Sequence, residues 1–514
     1  MKMVKSLLLA TAAGFVATAG AQAADLPVKA KPVEYVRICS LYGAGFYYIP
    51  GTDTCIRIGG HIRAEISINS RGTGIQSWGV GDGNSSKTRD RDIFYTRNRV
   101  FLNTDTRTQT AYGTLRTFSV VRAELATPVG TAGATGIIAV DSGIIQWGGF
   151  TIGRAGTSYL DTPYNYAYKW TPNGSIGMAD TAGGRFVLAY THQFGNGLSG
   201  SISLEDNKER KRAIYNNANA LTVPGFAPGL DTRGGNTIPE IVGQLRLDQA
   251  WGGMHIAGSI INNHVAYNCG GQGGATGACN ENFGHPSDRI GGAGVVGFKI
   301  NTGTGVNDAL YFGGSYGVGH TVATFANIGQ GSAFGLYGEN NGRGITPGYL
   351  FDSVYSSVGG AGGGIAFGPT SQRLTTTYGG TLAFEHGWNA QWRSSIFGGA
   401  EVADYDRTAN AILCSRFGVG SASGQLVNGA GANISNTGAC NWDYTIYGIG
   451  SRTYWTPVRD LTIGLEVMYT NHSVRHAYGV NLIQPSNVNF KPAGTYAIRD
   501  QDVFSGLFSV RRFF

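Results

Sequence analysis

The sequence predicts an all-β protein, a transmembrane antiparallel β-barrel of 16 strands, and three observations carry that prediction. Apolar and polar residues alternate strictly in "CIRIGGHIRAEISINS" from Cys55. The connections downstream alternate between short turns and long loops. An apolar face runs through "VFSGLFSVRRFF" to Phe514. Beyond the first two dozen residues no run approaches the ~20 consecutive apolar residues that a membrane helix needs. The composition points the same way: 82 Gly, 26 Tyr and 24 Phe in 514 residues, with 42% hydrophobic and 14% charged, suit many turns joining aromatic-bearing strands. Composition alone also fits a soluble sandwich, and strand length decides between the two.

At the N-terminus, Lys2 and Lys5 precede "LLLATAAGFVATAG", and Ala21-Gln22-Ala23 offers the small-residue pattern of a signal-peptidase site. The expected organisation is a signal peptide at 1–23, a periplasmic N-terminal segment at 24–54, and a barrel over 55–514. The net charge of +7 is spread along the chain. Its one dense run, Lys208-Glu209-Arg210-Lys211-Arg212, reads as a solvated loop, with anionic lipid head groups as a weaker partner; export argues against nucleic acid.

Six cysteines in an exported chain read as three disulfides, and sequence neighbours suggest Cys39 with Cys55, Cys269 with Cys279, and Cys414 with Cys440, although six cysteines allow 15 pairings. No CxxC or His-rich spacing suggests a metal, and no cofactor is expected.

In the strand that starts at Cys55, Ile56, Ile58, Ile62, Ile66 and Ile68 share one parity, while Arg57, His61, Arg63, Glu65, Ser67 and Asn69 share the other. At ~3.3 Å per residue such a strand spans roughly 45 Å, long for a sandwich and natural for a tilted membrane strand. The alternation recurs at 94–106, 112–125, 137–147 and 150–156. It continues at 185–194, 198–205, 241–249, 254–263, 289–300, 309–318, 373–385, 390–403, 443–454 and 461–472, and the tail supplies the sixteenth strand. Short turns on one side and long Gly-rich or disulfide-stapled loops on the other describe an outer-membrane barrel with short periplasmic turns and long extracellular loops. Since every backbone polar group in hydrocarbon must be paired, the last strand has to zip to the first, which explains an apolar face carried to Phe514.

Residues 33–65, "VEYVRICSLYGAGFYYIPGTDTCIRIGGHIRAE", with "GIIQWGGFTIGRAGTSYLD" at 143–161 and the terminal Phe, resemble the alpha-proteobacterial porin family. The tail also resembles the C-terminal strands of outer-membrane proteins generally, with Arg512 departing from the pattern. The resemblance implies a homotrimeric outer-membrane porin of a Gram-negative bacterium, set in lipid and lipopolysaccharide, passing small hydrophilic solutes and ions. It also implies that the third long loop folds into the lumen.

A barrel of sixteen strands is too wide for side chains to fill, so inward charges are expected to meet water and selectivity to come from a narrowing. The third long loop, at about 157–184, holds Asp161, Lys169 and Asp180 among aromatics. Inward parity on the facing wall offers Arg57, Arg63, Arg97, Arg99, Arg116 and Arg122. These nine are the candidate constriction residues. Arg154 has outward parity unless a bulge intervenes. Two other readings stay open: a solute-specific sugar or anion channel, using Tyr159, Tyr164, Tyr166, Tyr168 and Trp170, and, more weakly, a barrel enzyme or adhesin. The G-x-S-x-G match at 313–317 lacks a following helix, and "GGAGGG" at 359–364 reads as a flexible loop.

Overall fold

The computed structural model describes residues 37–69, 89, 92–127, 135–164, 167–170, 176–178, 184–208, 211–217, 232–268, 279–325, 333–338, 344–362, 365–417, 433–434, 440–475, 481–484 and 492–514. The expected signal peptide, Asp180, Tyr166 and Cys269 lie outside the described residues. Two compact units divide at Ile56 and Arg57. In the first, Tyr47 and Tyr48 pair antiparallel with Ile56 and Cys55, and the Cys39–Cys55 disulfide buries both sulfurs beside Phe46.

The second unit is a closed antiparallel barrel. Its strands are β1 (Cys55–Ile68), β2 (Phe94–Thr110), β3 (Gly113–Ala126), β4 (Thr135–Trp147), β5 (Phe150–Ala155), β6 (Arg185–Gly195), β7 (Leu198–Glu205) and β8 (Glu240–Gln249). They continue as β9 (Gly252–Asn263), β10 (Arg289–Asn301), β11 (Ala309–Val318), β12 (Thr376–Gly387), β13 (Trp392–Asp404), β14 (Tyr444–Trp455), β15 (Leu461–Val474) and β16 (Gln501–Phe513). Closure is made where the tail predicts it. Residues from His61 to Ile68 pair in register with Phe513 back to Gly506, and Gly60 and Phe514 exchange backbone hydrogen bonds of 3.0 and 3.1 Å.

Parity becomes two faces. Ile62, Leu102, Leu125, Ile145, Ile202, Leu382 and Leu465 stand exposed on the outside, whereas Glu65, Arg97 and Asp105 are buried within. At the short-turn ends, rings pair on the outer surface: Tyr112 with Trp147, Phe150 with Tyr190, and Trp392 with Trp455. Amphipathic rings favour that depth, where hydrocarbon meets water. Arg154 keeps outward register opposite Gly143 and Phe186, although Gly153 beside it has φ +121°.

The long loops between β7 and β8, β11 and β12, β13 and β14, and β15 and β16 pack on one another. A helix, α1 (Arg407–Phe417), starts where Asp406 Oδ1 accepts from the Ala409 amide at 2.7 Å, satisfying an otherwise orphaned helix donor. It helps to bury Tyr215, Tyr349, Phe351, Ile412, Leu413, Trp442 and Tyr496, and the Cys414–Cys440 disulfide closes that cluster. Cys279 is disulfide-bonded too. Two expectations need correction. Arg212 is not solvated but buried, its amide donating to Asp352 at 2.7 Å and its Nη2 to the Phe325 carbonyl at 2.8 Å, because the interlocking loops enclose it. Within the glycine run, Gly360–Gly362 is not loop but strand, paired antiparallel to Ile365–Phe367.

Candidate functional site

The loop between β5 and β6 follows Ala155, and its described residues lie against inward-facing positions of the wall. Seven successive strands, β9 to β15, receive it on glycines. A methyl group on Gly379 would come 2.6 Å from Gly177 Cα, on Gly399 2.5 Å from the Ile176 carbonyl oxygen, on Gly448 2.7 Å from Ile176 Cδ1, and on Gly464 2.5 Å from the Trp170 ring. Gly253, Gly297 and Gly313 lie likewise beneath Tyr164, Thr162 and Met178. Contacts this close exclude any Cβ, so these strand glycines mark where another backbone approaches.

Wall carboxylates then fasten the loop by its backbone. Glu205 accepts from Ser158 Oγ at 2.7 Å and the Tyr159 amide at 3.0 Å; Glu401 accepts from the Gly177 amide at 2.9 Å, and Glu466 from the Trp170 amide. Arg452 Nη2 donates to the Ala167 carbonyl at 2.8 Å, and the Arg511 guanidinium lies 4.3 Å from the Trp170 ring centroid. Tyr164 and Tyr168 are buried, Tyr168 against Tyr311 and Phe397.

The β1–β4 wall with β16 carries the arginines. Arg63, Arg97 and Arg511 meet Glu65 at 3.1, 2.6 and 3.6 Å. Arg99 meets Glu124 at 2.6 Å; Arg122 reaches both Glu124 and Asp141, the latter at 2.9 Å. A register shift opposite Val120 and Val121 makes the second contact. It inserts Asp141 beside Ser142, as bulges re-aim side chains. Lower down, Arg57, Arg107 and Arg116 meet Asp105 at 4.0, 2.9 and 3.0 Å.

The candidate residues therefore divide. Arg63, Arg97, Arg99 and Arg122 come together in one network, Arg57 and Arg116 share Asp105, Asp161 turns the loop root by accepting from the Ser158 amide at 3.3 Å, and Lys169 is buried in the loop. Inward charge proves less solvated than expected: Arg97 is 6% exposed and Glu65 4%, in a tightly paired set with Arg63 and Arg511. Sequence reasoning missed the wall acids Glu65, Asp105, Glu124, Asp141, Glu205, Glu401 and Glu466. The signal was there in their inward parity, two residues from an arginine for Glu65 and Glu124.

Residues 25–507 match the family described as the porin subfamily. The chain belongs to this family. Relatives include "Porin Omp2b" of Brucella suis biovar 1 and of Brucella abortus, each 32% identical over 271 residues, 51% of this chain and 66% of theirs. The outer membrane channel DcaP of Acinetobacter baumannii shares the fold, with a TM-score of 0.51 at 12% identity, covering 91% of this chain and 99% of that one. The anion-selective porin from Comamonas acidovorans aligns with a TM-score of 0.39 at 8% identity, over 90% of this chain and all of that one. As a porin, the chain is a barrel of the Gram-negative outer membrane. In this porin the G-x-S-x-G match falls inside β11, where Ser315 Oγ donates to the Gly177 carbonyl at 2.9 Å and helps to hold the loop.

Proposed function

We propose that this porin forms a water-filled channel for passive diffusion of small hydrophilic solutes and ions, narrowed by the loop at 157–184, and that it works as a homotrimer among outer-membrane lipid and lipopolysaccharide. The observation that carries the reading is the position of the loop, fastened to one wall while the opposite wall presents arginines. Arg57, Arg63, Arg97, Arg99, Arg116 and Arg122 form the cationic side of the narrowing, and Asp161, Lys169 and Asp180 are the charges that the loop sequence contributes. A transverse field across that gap raises the barrier for apolar solutes and for dipoles turned the wrong way. The family resemblance supports the trimer, as does a polar patch on the outside of β2 and β3: Thr104 bonds Ser119 at 2.6 Å and Thr106 bonds Thr117, hydroxyl pairs that suit a subunit contact better than lipid.

Uptake of neutral solutes into liposomes tests the channel. Rates should fall with solute size and rise linearly with concentration; saturation by a single neutral sugar would instead establish a solute-specific channel. The burial of Tyr164 and Tyr168 against the wall favours general diffusion, since those rings are not laid out as a track.

A further inference from the structure

A cavity of about 530 Å³ lies under the root of the inserted loop, on the short-turn side of the barrel. Arg116 enters it from β3 and Arg246 from β8, while Phe118, Ile144 and Tyr159 supply apolar surface. Such a volume matches sites for small organic ligands, which pair an apolar lining with a few fixed polar groups. Arg116 is fixed. Its Nε and Nη2 hold Asp105 at 3.0 Å each, and its Nη1 donates to Gln146 at 2.8 Å, which in turn donates to Thr151 at 3.1 Å. Three of the five N–H groups of a guanidinium are thereby used, and two remain on a side chain 29% exposed to the lumen. Arg246 spends two bonds on Asp248, at 2.7 and 3.1 Å, and is 40% exposed.

The carboxylates of the same cavity are already engaged. Asp141 receives Arg122 through both oxygens, and Asp161 receives the Ser158 amide. Asp105, the partner of Arg116, divides its charge with Arg107 at 2.9 Å. Of the charged groups in the cavity, the arginines are those with donors left over, set beside the Phe118 ring, over which the Arg116 guanidinium lies at 5.1 Å.

We infer that this cavity is a binding station for small organic anions, a carboxylate held by Arg116 and Arg246 with its apolar body against Phe118, Ile144 and Tyr159. The inference rests on the channel reading above. A solute held there is captured after passing the loop, or before reaching it from the periplasm, so the station favours organic acids over neutral solutes of the same size.

Planar-bilayer recording with the full chain tests it, using benzoate as probe, benzamide as its neutral counterpart and acetate as a carboxylate without the ring. Benzoate should block chloride-salt current saturably, and acetate and benzamide should not. Arg116→Gln should raise the half-blocking concentration about tenfold, as expected for loss of a charge-assisted contact. Phe118→Ala and Arg246→Gln should each raise it several-fold, and they carry the test if Arg116→Gln fails to insert. Equal block by benzamide, unchanged block in all three variants, or absence of benzoate block in a channel that conducts chloride salt normally would overturn the station and leave the channel standing. Absence of any conductance would overturn both.

Discussion

Ile62 and His61 are chain neighbours on opposite faces. Ile62 is 46% exposed on the outer surface, and the His61 ring stacks on Phe101 with centroids 4.3 Å apart inside. Ile62→Arg should therefore destabilise the assembled barrel by about 2 to 4 kcal/mol, the range for a cation at mid-membrane depth. His61→Gln should cost only about 0.5 to 1.5 kcal/mol, the worth of its ring contacts. Reversible urea unfolding in lipid vesicles measures both, and equal losses would contradict the assignment of faces. Residue parity was thus readable directly from the alternation. What each inward charge touches was not, since Arg97 finds Glu65 across 32 residues of chain.

Among the elements, the inserted loop depends on the wall's smoothness. Gly399→Leu should push the Ile176–Met178 segment off the wall and raise single-channel conductance, whereas the same change at the outward Gly398 should not. The cap of long loops depends on its staple. Replacing Cys414 and Cys440 by Ser should expose the α1 loop to protease while the barrel keeps its resistance to denaturation, because the closed strand ladder carries the membrane stability. A third element, the turn between β10 and β11, is pinned by Asp308, which accepts from Thr304 at 2.7 Å, from the Gly387 amide at 2.8 Å and from His386 at 2.7 Å. Desolvation pushes the carboxyl up, but these donors outweigh it and hold its pKa at about 2. A depressed acid stabilises the folded form above its unfolded pKa, near 3.8, and loses that contribution as pH falls through about 2. The protection factor of the Gly387 amide, its exchange rate set against the intrinsic rate at each pH, should stay high down to pH 3 and fall below pH 2; in Asp308→Asn it should be low and nearly constant across that window.

At the scale of the whole molecule, charge is sorted by wall. Among the described residues, the inward face of β1–β4 and β16 holds eight arginines and four carboxylates, and the β7, β13 and β15 acids are occupied with loop amides. Neutralising Arg97, Arg99 and Arg116 should move reversal potentials in a salt gradient toward cations, and neutralising Asp161 and Asp180 should move them toward anions. Both shifts should shrink with added salt, as the Debye length falls from ~10 Å at 0.1 M to ~3 Å at 1 M. Ion preference unchanged by either set at low salt would place the narrowing elsewhere.

The sequence by itself determined the barrel, its sixteen strands, the inside and outside of each, and the closure of the tail on β1. All of these follow from a period of two, from turn residues, and from the requirement that backbone in hydrocarbon be paired. Sequence neighbours also anticipated Cys39 with Cys55 and Cys414 with Cys440, since each pair flanks a loop whose ends must meet. Only the tertiary structure decided that Gly379, Gly399 and Gly448 are a bed for a loop more than 200 residues earlier. The same holds for Glu205, Glu401 and Glu466 as its anchors, and for Arg116 and Arg246, which face one cavity from separate strands. Local periodicity fixes the face on which a side chain stands, because pleating acts between adjacent residues. The partner it meets across the lumen depends on barrel curvature and on where a long loop comes to rest, and neither leaves a repeating mark in the chain.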